Sequence, residues 1–98
     1  MQEKLFNILT MCMKARKMTF GFDSVKGSIL DKTAQVVIIS SDASAKTAKE
    51  VRFFAAKEDI PVKTADFTSA DLLYTIGKKA AVTAILDKGF ADRITELL

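Results

Sequence analysis

The sequence predicts an α/β protein, a sheet covered by helices on both faces. Three observations predict it. Stretches with apolar residues at helical spacing alternate with short β-branched or extended runs. The connections between them are short and rich in turn formers, and no repeat, low-complexity tract or linker interrupts the chain. Of its 98 residues 49% are apolar, enough for one core and too few residues for two, so residues 1–98 are read as a single domain.

A first helix is expected from Gln2 to Arg16, because Leu5, Ile8, Leu9 and Cys12 recur on one face. Lys17 to Gly21 is a short extended piece closed by glycine. A second helix follows, with Phe22, Val25, Ile29 and Leu30 assigned to its buried face. Asp23, Lys26 and Gly27 then share the opposite side, since residues three and four apart are helical neighbours. Val36-Val-Ile-Ile39 is a continuous β-branched run suited to a central strand buried on both faces. Ser40 to Ser44 supplies turn formers and helix caps. A third helix spans Ala45 to Lys57, burying Ala48, Val51, Phe54 and Ala55, with Lys46, Lys49, Glu50 and Arg52 read as a solvated face. Ile60-Pro61-Val62 opens another strand, where proline fits the first position or an edge. Thr68 and Asp71 have capping-box spacing, with aspartate replacing the favoured Glu or Gln. The short helix they start ends at Gly77, a C-cap residue. Ala81 to Leu86 is the last strand, and a final helix buries Phe90, Ile94 and Leu97.

Composition narrows the chemistry. The chain has no histidine, which removes the commonest general base and metal ligand and every Ser-His or Cys-His pair. Its one cysteine, Cys12, cannot form an internal disulfide, in keeping with a reducing cytosol, and its place on an apolar helix face marks it as a core residue. No apolar run is long enough to span a membrane, and no signal peptide is read at the start, so a cytoplasmic protein is expected. Net charge is +3, and its location matters more than its size. Lys4, Lys14, Arg16, Lys17, Lys26 and Lys32 face only Glu3, Asp23 and Asp31 in the first third, whereas charges cancel from residue 34 onward. Such asymmetry points to an anionic partner.

The segment Gly21-Phe-Asp-Ser-Val-Lys26 is the most informative. It opens a helix directly after the basic cluster Lys14, Arg16 and Lys17. A helix N-terminus carries unpaired N–H groups and the positive end of the helix dipole, and Gly21 lets a partner's backbone approach. A structural reading competes with this one: Asp23 pairing with Lys26, and Gly21 serving as a turn. Gly77-Lys78-Lys79 lacks the upstream glycine and the Ser/Thr of a phosphate loop and reads as a helix end with two lysines. No dinucleotide fingerprint and no metal-ligand spacing is present, so neither cofactor nor metal is expected.

In order along the whole chain, Lys14-Ala-Arg-Lys17, Gly21 to Lys26, Val36 to Ala43, Ile60-Pro61-Val62, Ile76-Gly77-Lys78 and Ala84 to Phe90 resemble the ribosomal L7Ae/L30e family, in particular its small bacterial members. The resemblance implies a three-layer α-β-α sandwich around a four-stranded mixed sheet, and RNA binding without catalysis. In family members that bind kink-turn RNA, a glycine at the second helix is followed by a polar pair that reads sheared G·A base edges, then by a lysine on phosphate. An apolar loop before the last strand packs on an extruded base. By position Gly21 matches the glycine and Asp23 and Ser24 the pair. Gly27 stands at the lysine position with Lys26 one residue early, and Lys78, Lys79, Ala80 and Ala81 form the loop. An ionised aspartate only accepts hydrogen bonds and repels phosphate, and serine reaches less far than glutamate.

The expected function is therefore an RNA-binding protein of the translation machinery, recognising structured RNA, ribosomal RNA foremost, with weak or altered kink-turn recognition. Its contacts would be Lys14, Arg16, Lys17, Lys26, Lys78 and Lys79 on phosphate, with Gly21, Phe22, Asp23, Ser24, Gly27, Ala80 and Ala81 near sugar or base. Two alternatives stay open: an adaptor whose basic face meets an acidic protein, and a small nucleotide-binding enzyme using Ser40 to Ser44 at a strand's carboxyl end.

Overall fold

The computed structural model describes residues 2–98. In chain order the elements are α1 (Glu3–Lys14), β1 (Met18–Phe20), α2 (Phe22–Leu30), β2 (Val36–Ile39), α3 (Ala45–Lys57), β3 (Val62–Thr64), α4 (Ser69–Ile76), β4 (Val82–Ile85) and α5 (Lys88–Leu97). The sheet order is β1-β4-β2-β3. β4 runs antiparallel to both neighbours, Phe20 lying opposite Thr83 and Ile39 opposite Val82, while β2 and β3 are parallel with Val37 opposite Val62. The two β-branched runs thus occupy the centre, and both are buried along their whole length.

The alternation of side chains across the pleat splits the core in two. Val36, Ile38 and Ile85 point toward α1, α4 and α5, meeting Leu9, Leu72 and Ile94. Val37, Ile39, Val82 and Ala84 point toward α2 and α3, meeting Val25, Ile29, Val51 and Ala55. This is the expected α-β-α sandwich around a mixed four-stranded sheet. Among the described residues no helix is long and apolar enough to cross a membrane.

Several local expectations are corrected. α1 stops at Lys14, because Ala15 caps it and Arg16 turns left-handed, φ 59°. The Arg16 N–H donates to the Met13 carbonyl and the Lys17 N–H to the Cys12 carbonyl, a Schellman closure with arginine in glycine's usual place. Leu30 is 54% exposed, and Ser28 is buried on its helix instead, donating to the Val25 carbonyl at 2.7 Å. The hydroxyl of a buried serine is satisfied within its own helix, so that position needs no apolar side chain. Phe54, Phe90 and Leu97 are half-buried against the core. Pro61 precedes β3, its carbonyl accepting from the Val37 N–H, and β3 is an edge strand, where proline causes least loss.

Candidate nucleic-acid interface

β1, β2 and β3 all point the same way, so the helices that follow them begin at one end of the sheet. There the N-termini of α2, α3 and α4 gather, together with the 77–81 turn that leads into β4. Their chemistry differs. The Ser44 Oγ accepts from the Thr47 N–H at 3.1 Å and closes α3. α4 is closed more thoroughly. The Thr68 Oγ1 accepts from the Asp71 N–H, the Asp71 carboxylate accepts from the Thr68 N–H, and the Asp42 carboxylate accepts from both the N–H and the hydroxyl of Ser69. The capping box forms with aspartate as expected. The Ser69 hydrogen bonds, side chain first, hold the Asp42 carboxyl below its ordinary 3.8, with Lys79 adding a smaller push. Asp42 is thereby committed to tying α4 down, both of its carboxylate oxygens accepting from Ser69.

α2 is open. Gly21 caps it with φ 89° and ψ 159°, a conformation essentially confined to glycine, and no side chain accepts from its first turn. The Gly21 N–H donates to the Val82 carbonyl at 3.0 Å, and its own carbonyl accepts from Val25. Among the described residues no acceptor pairs with the N–H groups of Phe22, Asp23 and Ser24. A Cβ on Gly21 would meet nothing within 4 Å, so the space before this helix mouth is free. Unpaired N–H groups at the positive end of a helix dipole form a site for an anion.

The sheet decides which cations accompany that mouth. Gly21 is joined to Val82, and so to the turn that carries Lys78 and Lys79, both exposed. Asp23, Ser24 and Gly27 are exposed on α2 beside them. Lys26 is half-buried with its Nζ 4.5 Å from the centre of the Phe54 ring, and the Asp23 pairing of the competing structural reading is not made. Ala80 is 5% exposed, and its carbonyl accepts from the buried Ser40 hydroxyl at 2.9 Å. Its side chain is not offered to a base, and of the expected pair only the half-buried Ala81 remains near the surface.

Lys14, Arg16 and Lys17 lie at the opposite end of β1, where the Leu86 N–H donates to the Lys17 carbonyl at 2.7 Å. Four strand steps separate Lys17 from Gly21, roughly 13 Å. The cations assigned to phosphate therefore fall into separate groups, Lys14, Arg16 and Lys17 at one end of β1 and Lys78 and Lys79 at the other. Lys14 also has a local role, complementing the negative end of α1. Cys12 is fully buried, its Sγ 3.4 Å from the Lys17 carbonyl, and burial, helped by the Asp87 charge, pushes the thiol from 9.0 to about 12. It is a core residue, as read. A concavity of about 590 Å³ at the far end is lined by Asp59, Asp92 and Glu96 among others, the wrong sign for a polyanion.

Near the 77–81 turn stands an exposed aromatic side chain that the sequence analysis does not single out. Tyr74, 94% exposed on α4, stands one turn before Lys78. Its signal was an aromatic residue on the face opposite Leu72 and Ile76, weak in a helix of 8 residues.

The comparisons agree with the fold. The chain is 36% identical over 94 residues to the RNA-binding protein YlxQ of Bacillus subtilis strain 168, covering 95% of this chain and 93% of the relative. It is 30% identical over 97 residues to the protein of that name in Enterococcus faecium, covering 99% and 93%. A solved structure of a Bacillus halodurans protein of unknown function superposes with a TM-score of 0.89 at 28% identity, covering 98% of this chain and 97% of the other. The model of the ribosomal protein L7Ae/L30e/S12e/Gadd45 family matches residues 3–95, and the chain belongs to that family.

Proposed function

We propose that this chain is a non-catalytic RNA-binding protein of the cytoplasmic translation machinery, and that it grips structured RNA, ribosomal RNA foremost, at the open mouth of α2. The observation that carries the reading is the contrast among helix N-termini. α3 and α4 are closed by their own side chains, while α2 presents free N–H groups beside Lys78 and Lys79. The names of the two YlxQ relatives support it. In this reading a phosphate sits on the α2 N–H groups, Lys78 and Lys79 hold its neighbours, and Ser24 donates to a sugar or base edge. A duplex lying along the β1 edge would also meet Lys17 and Lys14. Asp23 repels phosphate and Gly27 offers no cation, so kink-turn recognition is weak or altered.

The test begins with crosslinking the protein to RNA in cells and sequencing the bound fragments. A recovered ribosomal fragment is then titrated at several salt concentrations. A log–log slope of roughly −3 to −5 is expected for about four to six phosphates. A pull-down whose partners survive nuclease treatment, with no RNA fragment enriched, would favour the adaptor instead.

A further inference from the structure

The α2–α3 face carries a groove of about 470 Å³ that begins at the open mouth of α2 and runs along α3. Its floor is aromatic. Phe22 and Phe54 are half-buried, and Phe53 is 55% exposed, its ring meeting Phe54 edge-on with centroids 5.5 Å apart. Its rim is cationic. Lys26, Lys46 and Lys49 line it with Glu50 as the one acid, and Lys57 reaches over the Phe53 ring at 4.3 Å. Val51 and Ala55 already fill the buried stripe of α3, so Phe53 serves no core position. An aromatic ring left in water among lysines is the arrangement that single-stranded nucleic acid uses, bases on rings and phosphates on cations.

The geometry points to a second RNA subsite here, taking one or two unpaired nucleotides that continue from the strand held at the α2 mouth. A base would stack on Phe53, replacing the Lys57 ammonium, while Lys26, Lys46 and Lys49 hold the flanking phosphates. This rests on the proposed RNA function and deepens it. Charge complementarity selects the occupant: the cations far outnumber the single glutamate, and the groove shares Phe22 and Lys26 with the mouth.

The test titrates the full chain, with ¹³C-labelled phenylalanine and ¹⁵N backbone, with the single-stranded hexanucleotide r(A)6 and with its abasic counterpart. The Phe53 and Phe54 ring signals are expected to shift with r(A)6, and the abasic strand to bind at least about fivefold more weakly. Phe53→Ala should bring r(A)6 down to the abasic level, while Phe53→Tyr, which keeps the ring, should retain binding. Movement of the Phe22 to Ser24 amides without the rings overturns the groove and leaves the mouth reading standing. If neither moves with r(A)6, the subsite is overturned, and the mouth is judged by the ribosomal fragment alone. Equal ring shifts with hexaglutamate would assign the groove to an acidic protein and overturn it as well.

Discussion

Where β1, β2 and β3 finish, three helices begin; at the other end of the sheet α1, α2 and α3 finish, and the contrast between these ends underlies the proposed site. At the far end each helix closes on a left-handed residue that is not glycine, Arg16, Lys32 and Asp59, and each closure satisfies the last carbonyls within the chain. Lys32 also reaches Glu58 at 3.5 Å. Of the three helices that follow β1, β2 and β3, α3 and α4 are closed at the N-terminus and α2 is left open. The densest run of cations, Lys14 to Lys17, belongs to the closed far end, where helix carbonyls account for part of it. Charge density and unsatisfied donors therefore lie at opposite ends of the strand, and the proposed function rests on the donors.

The largest effect that would break this comparison is on RNA affinity. Lys78→Glu with Lys79→Glu should weaken binding to a crosslinked ribosomal fragment by at least roughly tenfold. Lys14→Glu with Lys17→Glu should cost less and mainly flatten the salt dependence. Fluorescence anisotropy across salt concentrations measures both, and a larger loss at the far end would reverse the assignment.

Next come two of the positive-φ positions, Gly21 and Arg16. Gly21→Ala forces a Cβ into a glycine-only conformation without any clash, so about 1–3 kcal/mol of stability should be lost. Thermal unfolding of a chain this size would move down on the order of 10 °C. Arg16→Gly should act the other way, gaining up to about 1 kcal/mol by relieving the left-handed strain. If it also lowers RNA affinity, the arginine is kept at a stability cost for phosphate.

Opening the closed helix is a smaller perturbation. Thr68→Ala removes the α4 cap and should cost about 1 kcal/mol, read from denaturant midpoints at unchanged slope. The smallest effects are in pH. The lowered Asp42 carboxyl contributes stability above its ordinary 3.8 that is lost as pH falls through its folded value, and Asp42→Asn should remove that acid-side slope. Cys12 works at the other extreme. Its thiol is raised to about 12, so between 9 and 12 the unfolded chain releases a proton that the folded chain keeps, and stability falls as pH rises. At neutral pH iodoacetamide should label Cys12 only after denaturation.

Much of this was legible in the residues. Helical periodicity, the Thr68–Asp71 box, the Gly77 cap and the buried Val36 to Ile39 strand are local features, decided within one or two turns by sterics and capping. So is Gly21, whose role as the opener of α2 needs only its own φ. Leu30 and Lys26 depart from the local pattern: Leu30 is exposed where helical spacing assigns it to the buried face, and Lys26 turns to Phe54, 28 positions along the chain. Phe53 was passed over because a phenylalanine doublet in a helix resembles core until the partner surface is known.

The sequence by itself determined which segments coil, which extend and where each must stop, since those choices rest on backbone sterics and neighbours a few residues away. Only the tertiary structure decided that β4 inserts antiparallel between β1 and β2. That pairing carries the Lys78–Lys79 turn to Gly21 and leaves Lys14 to Lys17 at the other end of the same strand. Strand register is a contact between residues some 60 positions apart, and no local propensity encodes it.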